Sequence, residues 1–265
     1  MLAFIKVVAV LLALLLQACA SAPSAVRAPP EVRQALAPTG TLRIAVLTGS
    51  PMSMVRDPAT GQAGGVAYEL GTALAARLDV PHQTVEFTSF ADVAGAIASG
   101  RADVGMFNAG SSRAPEVWLA PTLLSQEASY LVPSSSGIRT PADVDRAGVR
   151  VGVQQNSSSQ AQLTRSLKAA TLVPLPGLQN VPQLLASQQL DAFATNKGIL
   201  FDLSDRVPGA RILEGGYAIE NQSLAIPKGR DAGAPFLTAF LDEARRSGLV
   251  KQAAERAKLR GVIFR

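Results

Sequence analysis

The chain has 265 residues, of which 48% are hydrophobic and 17% charged. This composition is typical of a globular protein and excludes a disordered chain or a fibre. The chain has 25 lysines and arginines against 20 acidic residues, a formal net charge of +5. This small excess does not indicate a nucleic-acid partner. One cysteine and one histidine exclude an internal disulfide framework, a four-cysteine zinc site and an iron–sulfur cluster. Only a carboxylate-built metal site remains possible, and we predict no cofactor.

The N-terminal segment predicts a bacterial export signal over residues 1–18. Lys6 precedes an apolar run over residues 7–16 that is too short to span a bilayer. The run ends in Leu16-Gln17-Ala18-Cys19, a pattern typical of a lipobox, so we predict a lipidated Cys19 and a flexible tether over residues 19–40. The alternative is an ordinary secretory signal in which Cys19 is incidental.

Two stretches of the chain repeat one pattern of a short helix, a turn and a strand. They cover residues 93–103 and 181–191, and their strands continue to Asn108 and Asn196 at the same separation. A short apolar strand precedes each stretch, at residues 41–46 and 148–153. The pattern predicts an α/β fold with two lobes, each a mostly parallel sheet flanked by helices, although chance similarity of two helix–strand units is the alternative.

Two further strands are predicted to join the lobes, at residues 128–133 and 222–227. They divide the chain into lobe I, residues 41–131 plus 222–265, and lobe II, residues 132–221. A tail helix from Pro235 carries apolar residues at helical spacing, and we expect it to pack on lobe I.

Candidate binding residues follow the predicted strands, where parallel sheets place their ligands. In lobe I, Asn108 and Ser111 are followed by Arg113, whose guanidinium is suited to a carboxylate. In lobe II, Asn156-Ser157-Ser158-Ser159 precedes a helix and offers hydroxyls and N–H donors to an anion. Simple helix capping by one serine is the alternative.

Six segments in this order together resemble the family 3 extracellular solute-binding proteins of ABC importers. They are residues 42–46, 65–70, 97–103, 113, 151–158 and 191–192. The resemblance implies two lobes that close over a polar amino acid or similar solute in the periplasm, and an ABC permease in the inner membrane as partner. It further implies that Arg113 binds the ligand's α-carboxylate. Ser157 and Ser158 then occupy a Gly-Thr-Thr turn in which Asn156 replaces the glycine and adopts a positive φ.

The sequence departs from the family pattern at two places. Asn196 stands where the family has an aspartate that holds the α-ammonium group, and Lys197 follows it. The aromatic wall after the first strand is also absent, since Ser50 and Met52 lie there. We therefore predict a small carboxylated solute, amino-acid-like or an organic anion, whose amino group is held less strictly. Whether Lys197 faces the cleft or the surface stays open.

Two other functions are considered. A dehydratase offshoot resembles this family, and an enzyme of that kind would need a general acid, for which Glu69 and Glu220 are the candidates. A ligand-sensing module would have to act through a membrane partner. We predict a binding protein without catalytic activity, anchored by its lipid to the inner or the outer membrane.

Overall fold

The computed structural model describes residues 28–111 and 113–264. The predicted signal peptide and Cys19 lie outside the described residues. In the described part, the helices are α1 (Pro30–Leu36), α2 (Val66–Leu78), α3 (Phe90–Ala98), α4 (Ser158–Ser166), α5 (Val181–Ala186), α6 (Lys197–Ser204), α7 (Ala234–Arg246) and α8 (Leu249–Arg256). None of these helices is long and apolar enough to cross a membrane.

The strands belong to one large mixed sheet and one small hairpin. The large sheet contains β1 (Leu42–Leu47), β4 (His82–Phe87), β5 (Val104–Asn108), β6 (Val117–Leu119), β7 (Leu124–Val132), β8 (Arg150–Gln154), β9 (Thr171–Leu175), β10 (Ala192–Asn196), β11 (Arg211–Ile212), β12 (Ala218–Pro227) and β13 (Val262–Phe264). The hairpin pairs β2 (Val55–Arg56) with β3 (Ala63–Gly64).

Each lobe has a parallel unit with helices on both faces, as the sequence predicts. In lobe I, β1 runs parallel to β4 and β5, and in lobe II β8 runs parallel to β9 and β10. Alternation along β1 sends Ile44 into an apolar cluster with α2 and α7, and Ala45 into a second cluster with α3. The parallel strands of lobe I are therefore covered on both sides, which explains their nearly continuous apolar sequence.

The two strands β7 and β12 connect the lobes, which confirms the predicted crossings. They pair with each other in antiparallel fashion, β12 also pairs with β5 of lobe I, and β7 also pairs with β10 of lobe II. The predicted boundaries near residues 131 and 222 fall within these strands. Because both connections are extended strands side by side, the lobes share one hinge.

A matching ion pair supports the repeat in the two lobes. Arg43 donates its backbone N–H and its guanidinium to Asp103, and Arg150 does the same to Asp191. The N–H to carboxylate distance is 2.8 Å in both cases. Each pair joins the start of one strand to the start of its parallel neighbour, so the two helix–strand units are alike in structure as well as in sequence.

The predicted tether differs from the structure in its second half. Residues 30–36 form α1, which begins with Pro30 at its first position and buries Val32 and Leu36 in the lobe I core. The two apolar residues are four apart and so share one face of the helix. Ala28, the first described residue, is also buried in this core. The tail helix α7 packs on lobe I as expected, since Leu237 is fully buried in the same core.

Candidate functional site

A cavity lies between the lobes, beside the hinge. Its lining comes from α3 and β5 of lobe I, from β8, α4, β10 and α6 of lobe II, and from strand β12. The lining residues are Phe90, Val93, Ala94, Met106, Phe107, Asn108, Ser111, Gln154, Asn156, Ser157, Ser158, Ser159, Thr195, Asn196, Ile199, Glu220 and Gln222. Asn108, Gln154 and Asn196 are the last residues of their strands, so the cavity is at the carboxyl edge of both parallel units.

The three serines at the start of α4 have three different partners. Ser157 caps the helix and accepts a hydrogen bond from the backbone N–H of Gln160 at 3.1 Å. Ser158 donates to Glu220 Oε1 at 2.5 Å, and Ser159 accepts from the hydroxyl of Tyr217 at 2.8 Å. Capping therefore uses one serine, and Ser158 is the serine that reaches the hinge strand.

Asn156 adopts the backbone conformation that the glycine replacement requires. Its φ is +60°, in the left-handed region that asparagine tolerates better than most residues. Its backbone N–H donates to the Gln160 side chain at 2.6 Å. This turn directs the first residues of α4 towards the cavity.

Glu220 is the charged group of the cavity. It is 8% exposed, and it is the only charged side chain among the described lining residues. Burial raises the pKa of its carboxyl, while hydrogen bonds from Ser158, Asn196 and Asn108 lower that pKa and only partly offset the burial. The sequence singles out Glu220 as a candidate acid but does not predict it as a ligand-facing residue.

Arg113 lies outside the lining of the cavity, against the sequence-based expectation. Its guanidinium donates to Glu116 at 2.8 Å and to the backbone carbonyl of Ala91 at 3.3 Å, and its side chain is 38% exposed. The Glu116 carboxylate holds the pKa of Arg113 above its usual value. Because a glutamate three residues away satisfies this guanidinium, the structure does not bring it together with Asn108 and Ser111.

Asn196 lines the cavity, whereas Lys197 does not. The Asn196 side chain caps α6 by accepting from the backbone N–H of Ile199 at 3.1 Å. Lys197 forms an ion pair with Glu127 of the hinge strand β7. Glu127 therefore neutralises the charge of Lys197 outside the lining of the cavity.

Ser50 and Met52 line an adjoining depression rather than the cavity itself. The depression shares Phe90, Asn196, Ile199 and Gln222 with the cavity and also contains Lys258 and Arg260. Glu69 lies elsewhere and is bound by Arg256 of α8. In the described part of the chain, no group of three histidine, cysteine, aspartate or glutamate side chains is placed to hold a metal ion.

Sequence reasoning missed two residues that line the site. Phe90 begins α3, is 47% exposed and lines both the cavity and the depression. Gln222 is 5% exposed on β12, and its Oε1 atom is buried without a hydrogen-bond partner among the described residues. Gln222 belongs to the polar run Glu220-Asn221-Gln222-Ser223 in a strand that ends in apolar residues, and this run is the signal that could have found it.

A family model matches residues 42–257 of this chain, and its description is bacterial extracellular solute-binding proteins, family 3. The chain belongs to this family. The matched residues include both lobes of this chain and its two hinge strands. No curated protein sequence matches it significantly.

Solved structures similar to this family 3 protein share its two-lobed fold. A solute receptor for L-cysteine from Neisseria gonorrhoeae is 19% identical, with a TM-score of 0.71 over 86% of this chain and 92% of that chain. An amino acid ABC transporter substrate-binding protein from Streptococcus pneumoniae, bound to L-arginine, is 20% identical, with a TM-score of 0.70 over 84% and 97%. An ancestral amino-acid-binding protein, described as a precursor of cyclohexadienyl dehydratase, is 19% identical, with a TM-score of 0.68 over 83% and 95%.

Proposed function

We propose that this chain is the solute-capture component of an ABC importer, a periplasmic lipoprotein whose lobes close on a small solute. The observation that carries the proposal is the cavity beside β7 and β12, because its lining comes from both lobes. A solute that contacts both lobes stabilises the closed arrangement over the open one, and an inner-membrane permease then receives the closed form.

The solute is an amino-acid-like molecule in this proposal rather than an organic anion. The charged group among the described lining residues is the acid Glu220, which repels a bound anion and attracts a cation. One of the similar structures is a receptor for L-cysteine and another is bound to L-arginine, which supports the same solute class here.

Native mass spectrometry of the purified protein tests the capture function directly. We expect a co-purifying small molecule, and we expect X-ray scattering to show a smaller radius of gyration when that solute is returned to the stripped protein. If no amino-acid-like solute binds and the radius of gyration stays constant, the capture function is wrong.

Lipid anchoring at Cys19 is the second part of the proposal, and it rests on the lipobox pattern after the apolar run. Changing Cys19→Ala should move the protein from the membrane fraction to the soluble periplasmic fraction. A variant that remains in the membrane fraction and is processed normally would show that the anchor is not this cysteine.

One observation favours a dehydratase as the second candidate function. Glu220 is buried in the cavity, and burial raises its pKa, which is the direction that a general acid requires. Incubation with a cyclic carboxylic acid such as prephenate tests this candidate. Product formation that the Glu220→Gln variant abolishes would place the enzyme ahead of the binding protein.

A further inference from the structure

The hinge strand β12 carries two hydrogen-bond acceptors that face the cavity together. Glu220 and Gln222 are two residues apart, so they lie on the same face of the strand. Both line the cavity, and both are more than nine-tenths buried. Asn221, between them, lies on the other face, where its Oδ1 accepts from Ser125. The hinge therefore presents a paired acceptor surface to the solute.

The Gln222 acceptor has no partner within the described protein. Its Oε1 atom is buried without a hydrogen bond, although native structures satisfy nearly all buried polar atoms. A buried acceptor that faces a cavity is suited to a donor on a ligand. An N–H group of the solute is such a donor.

Glu220 lacks the ion pair that accompanies the other buried carboxylate in the described part of the chain. Asp103 is fully buried and bound by Arg43 and Arg230 at 2.7 Å each. Glu220 forms no ion pair with a described residue, and its hydrogen-bond partners among the described residues are neutral side chains. A buried charge without a countercharge is unfavourable, and a bound cation relieves it.

The cationic side chains near the site are either bound by a glutamate or lie outside the cavity lining. Arg113 and Lys197 are each bound by a glutamate, and neither lines the cavity. Lys258 and Arg260 line the adjoining depression instead. The start of α4, which sequence reasoning offers to a ligand's carboxylate, faces the carboxylate of Glu220. The described lining therefore provides acceptors for a cation and no cationic side chain for an anion.

We infer that Glu220 and Gln222 bind a cationic amino group of the solute, and that this group is required for binding whereas a carboxylate is not. This inference rests on the proposed function. The rest of the solute is small and apolar, because it meets an apolar wall. The wall consists of Phe90, Val93, Ala94, Met106, Phe107 and Ile199. Phe90 lines the same cavity as the two acceptors, and an aromatic ring suits a cation.

Calorimetry with matched solutes tests the inference on the full-length protein after its bound solute has been removed. Leucine, methionine and phenylalanine have apolar side chains, and each is compared with its decarboxylated amine and its deaminated acid. In a series that binds, we expect the amine to bind within about 10-fold of the amino acid and the acid at least about 30-fold more weakly. Equal or tighter binding of the acid, or binding of no member of any series, would overturn the inference.

Two variants assign the effect to the acceptor pair. Glu220→Gln removes the charge at nearly constant shape, and Gln222→Met removes the acceptor. Each should weaken amine binding by at least about 10-fold. Because Gln222 Oε1 has no partner among the described residues, Gln222→Met should keep the melting temperature or raise it, which a structural role for this oxygen would not allow. The control is Glu214→Gln, the same change at an exposed position outside the cavity, and it should bind like the parent.

The outcomes separate the inference from the function on which it rests. If a carboxylic acid without an amino group compacts the protein in scattering, the solute class is wrong and capture by closure stands. If neither the co-purified solute nor any matched compound compacts the protein, the capture function fails as well. Unchanged amine binding in Glu220→Gln and Gln222→Met would overturn the inference alone.

Discussion

The hydroxyl of Ser158 donates a hydrogen bond to Oε1 of Glu220 at 2.5 Å. Ser158 is the first residue of α4 in lobe II, and Glu220 belongs to the hinge strand. The N-terminal end of a helix attracts negative charge, and here the protein itself supplies that charge. This contact changes the expected charge preference of the cavity from anions to cations.

The pH dependence of stability should report the burial of Glu220. Its pKa is raised in the folded protein, so the folded state holds the proton to higher pH than the unfolded chain, whose glutamate pKa is about 4.3. Stability should therefore fall as pH rises from about 4.3 through the folded pKa, by up to about 1.4 kcal/mol per pH unit. The measurement is urea unfolding of the parent and of Glu220→Gln across this range.

The Glu220→Gln variant provides the reference curve for that experiment. Its glutamine does not titrate, so the unfolding free energy of the parent should rise relative to that of the variant as pH falls. Tyr217, which hydrogen-bonds Ser159 beside this site, has its pKa raised by burial and stays neutral throughout the range. Parallel curves for the two proteins would contradict the burial of an ionisable carboxyl at this position.

Replacing Arg113 by alanine should leave solute affinity nearly unchanged. The sequence-based expectation is the loss of about 2–5 kcal/mol, because a buried ligand carboxylate would be left unpaired. In the structure the guanidinium is partly exposed and bound by Glu116, and exposed ion pairs contribute only about 0.2–1 kcal/mol. We expect less than about 5-fold change in the dissociation constant of the co-purified solute, measured by calorimetry. A loss of about 30-fold or more would restore Arg113 as the carboxylate-binding residue.

The fold could be predicted from the sequence because its signals are local and repeated. The helix–turn–strand pattern ends at Asn108 in one lobe and at Asn196 in the other, and each residue lines the cavity. The positive φ of Asn156 also follows from local chemistry, since a glycine position requires it. Strand ends and tight turns were therefore predictable.

Side-chain direction was not predictable in the same way. Arg113 has Glu116 one helical turn away, and sequence alone does not decide between this neighbour and a ligand across the cleft. Glu220 faces the cavity because of the pairing of β12 with β5 and β7, which is a property of the assembled sheet. The charge preference of the site therefore depends on tertiary contacts.

The repeated ion pairs of the two lobes should differ in their contribution to stability. Asp103 has no exposed side-chain surface and binds two arginines, whereas the Asp191 side chain is 32% exposed and binds one. Asp103→Asn leaves two partly buried guanidinium groups uncompensated and should cost about 3–5 kcal/mol. Asp191→Asn should cost no more than about 1 kcal/mol because solvent screens its pair.

Urea unfolding of the two aspartate variants at neutral pH measures this difference. Both substitutions are isosteric and remove one negative charge, so each is the matched control for the other. Equal costs in the two lobes would show that the second arginine and the deeper burial of Asp103 contribute nothing.

Two glycines in helices of lobe I should respond to alanine with opposite signs. A Cβ atom at Gly71 in α2 would lie 2.7–2.9 Å from the side chain of Ile44, which is fully buried in β1. A Cβ atom at Gly95 in α3 would meet only the flexible guanidinium of Arg113, at 3.6 Å or more.

Alanine favours the helix over glycine by about 0.5–1 kcal/mol at either position. At Gly71 the overpacking against a β-branched core residue costs about 1–3 kcal/mol, so Gly71→Ala should be destabilised by about 1–2 kcal/mol. At Gly95 nothing opposes the helix preference of alanine, so Gly95→Ala should be stabilised by about 0.5–1 kcal/mol. Thermal and urea unfolding of the two variants measure both signs, and a stabilised Gly71→Ala would mean that α2 does not pack this closely on β1.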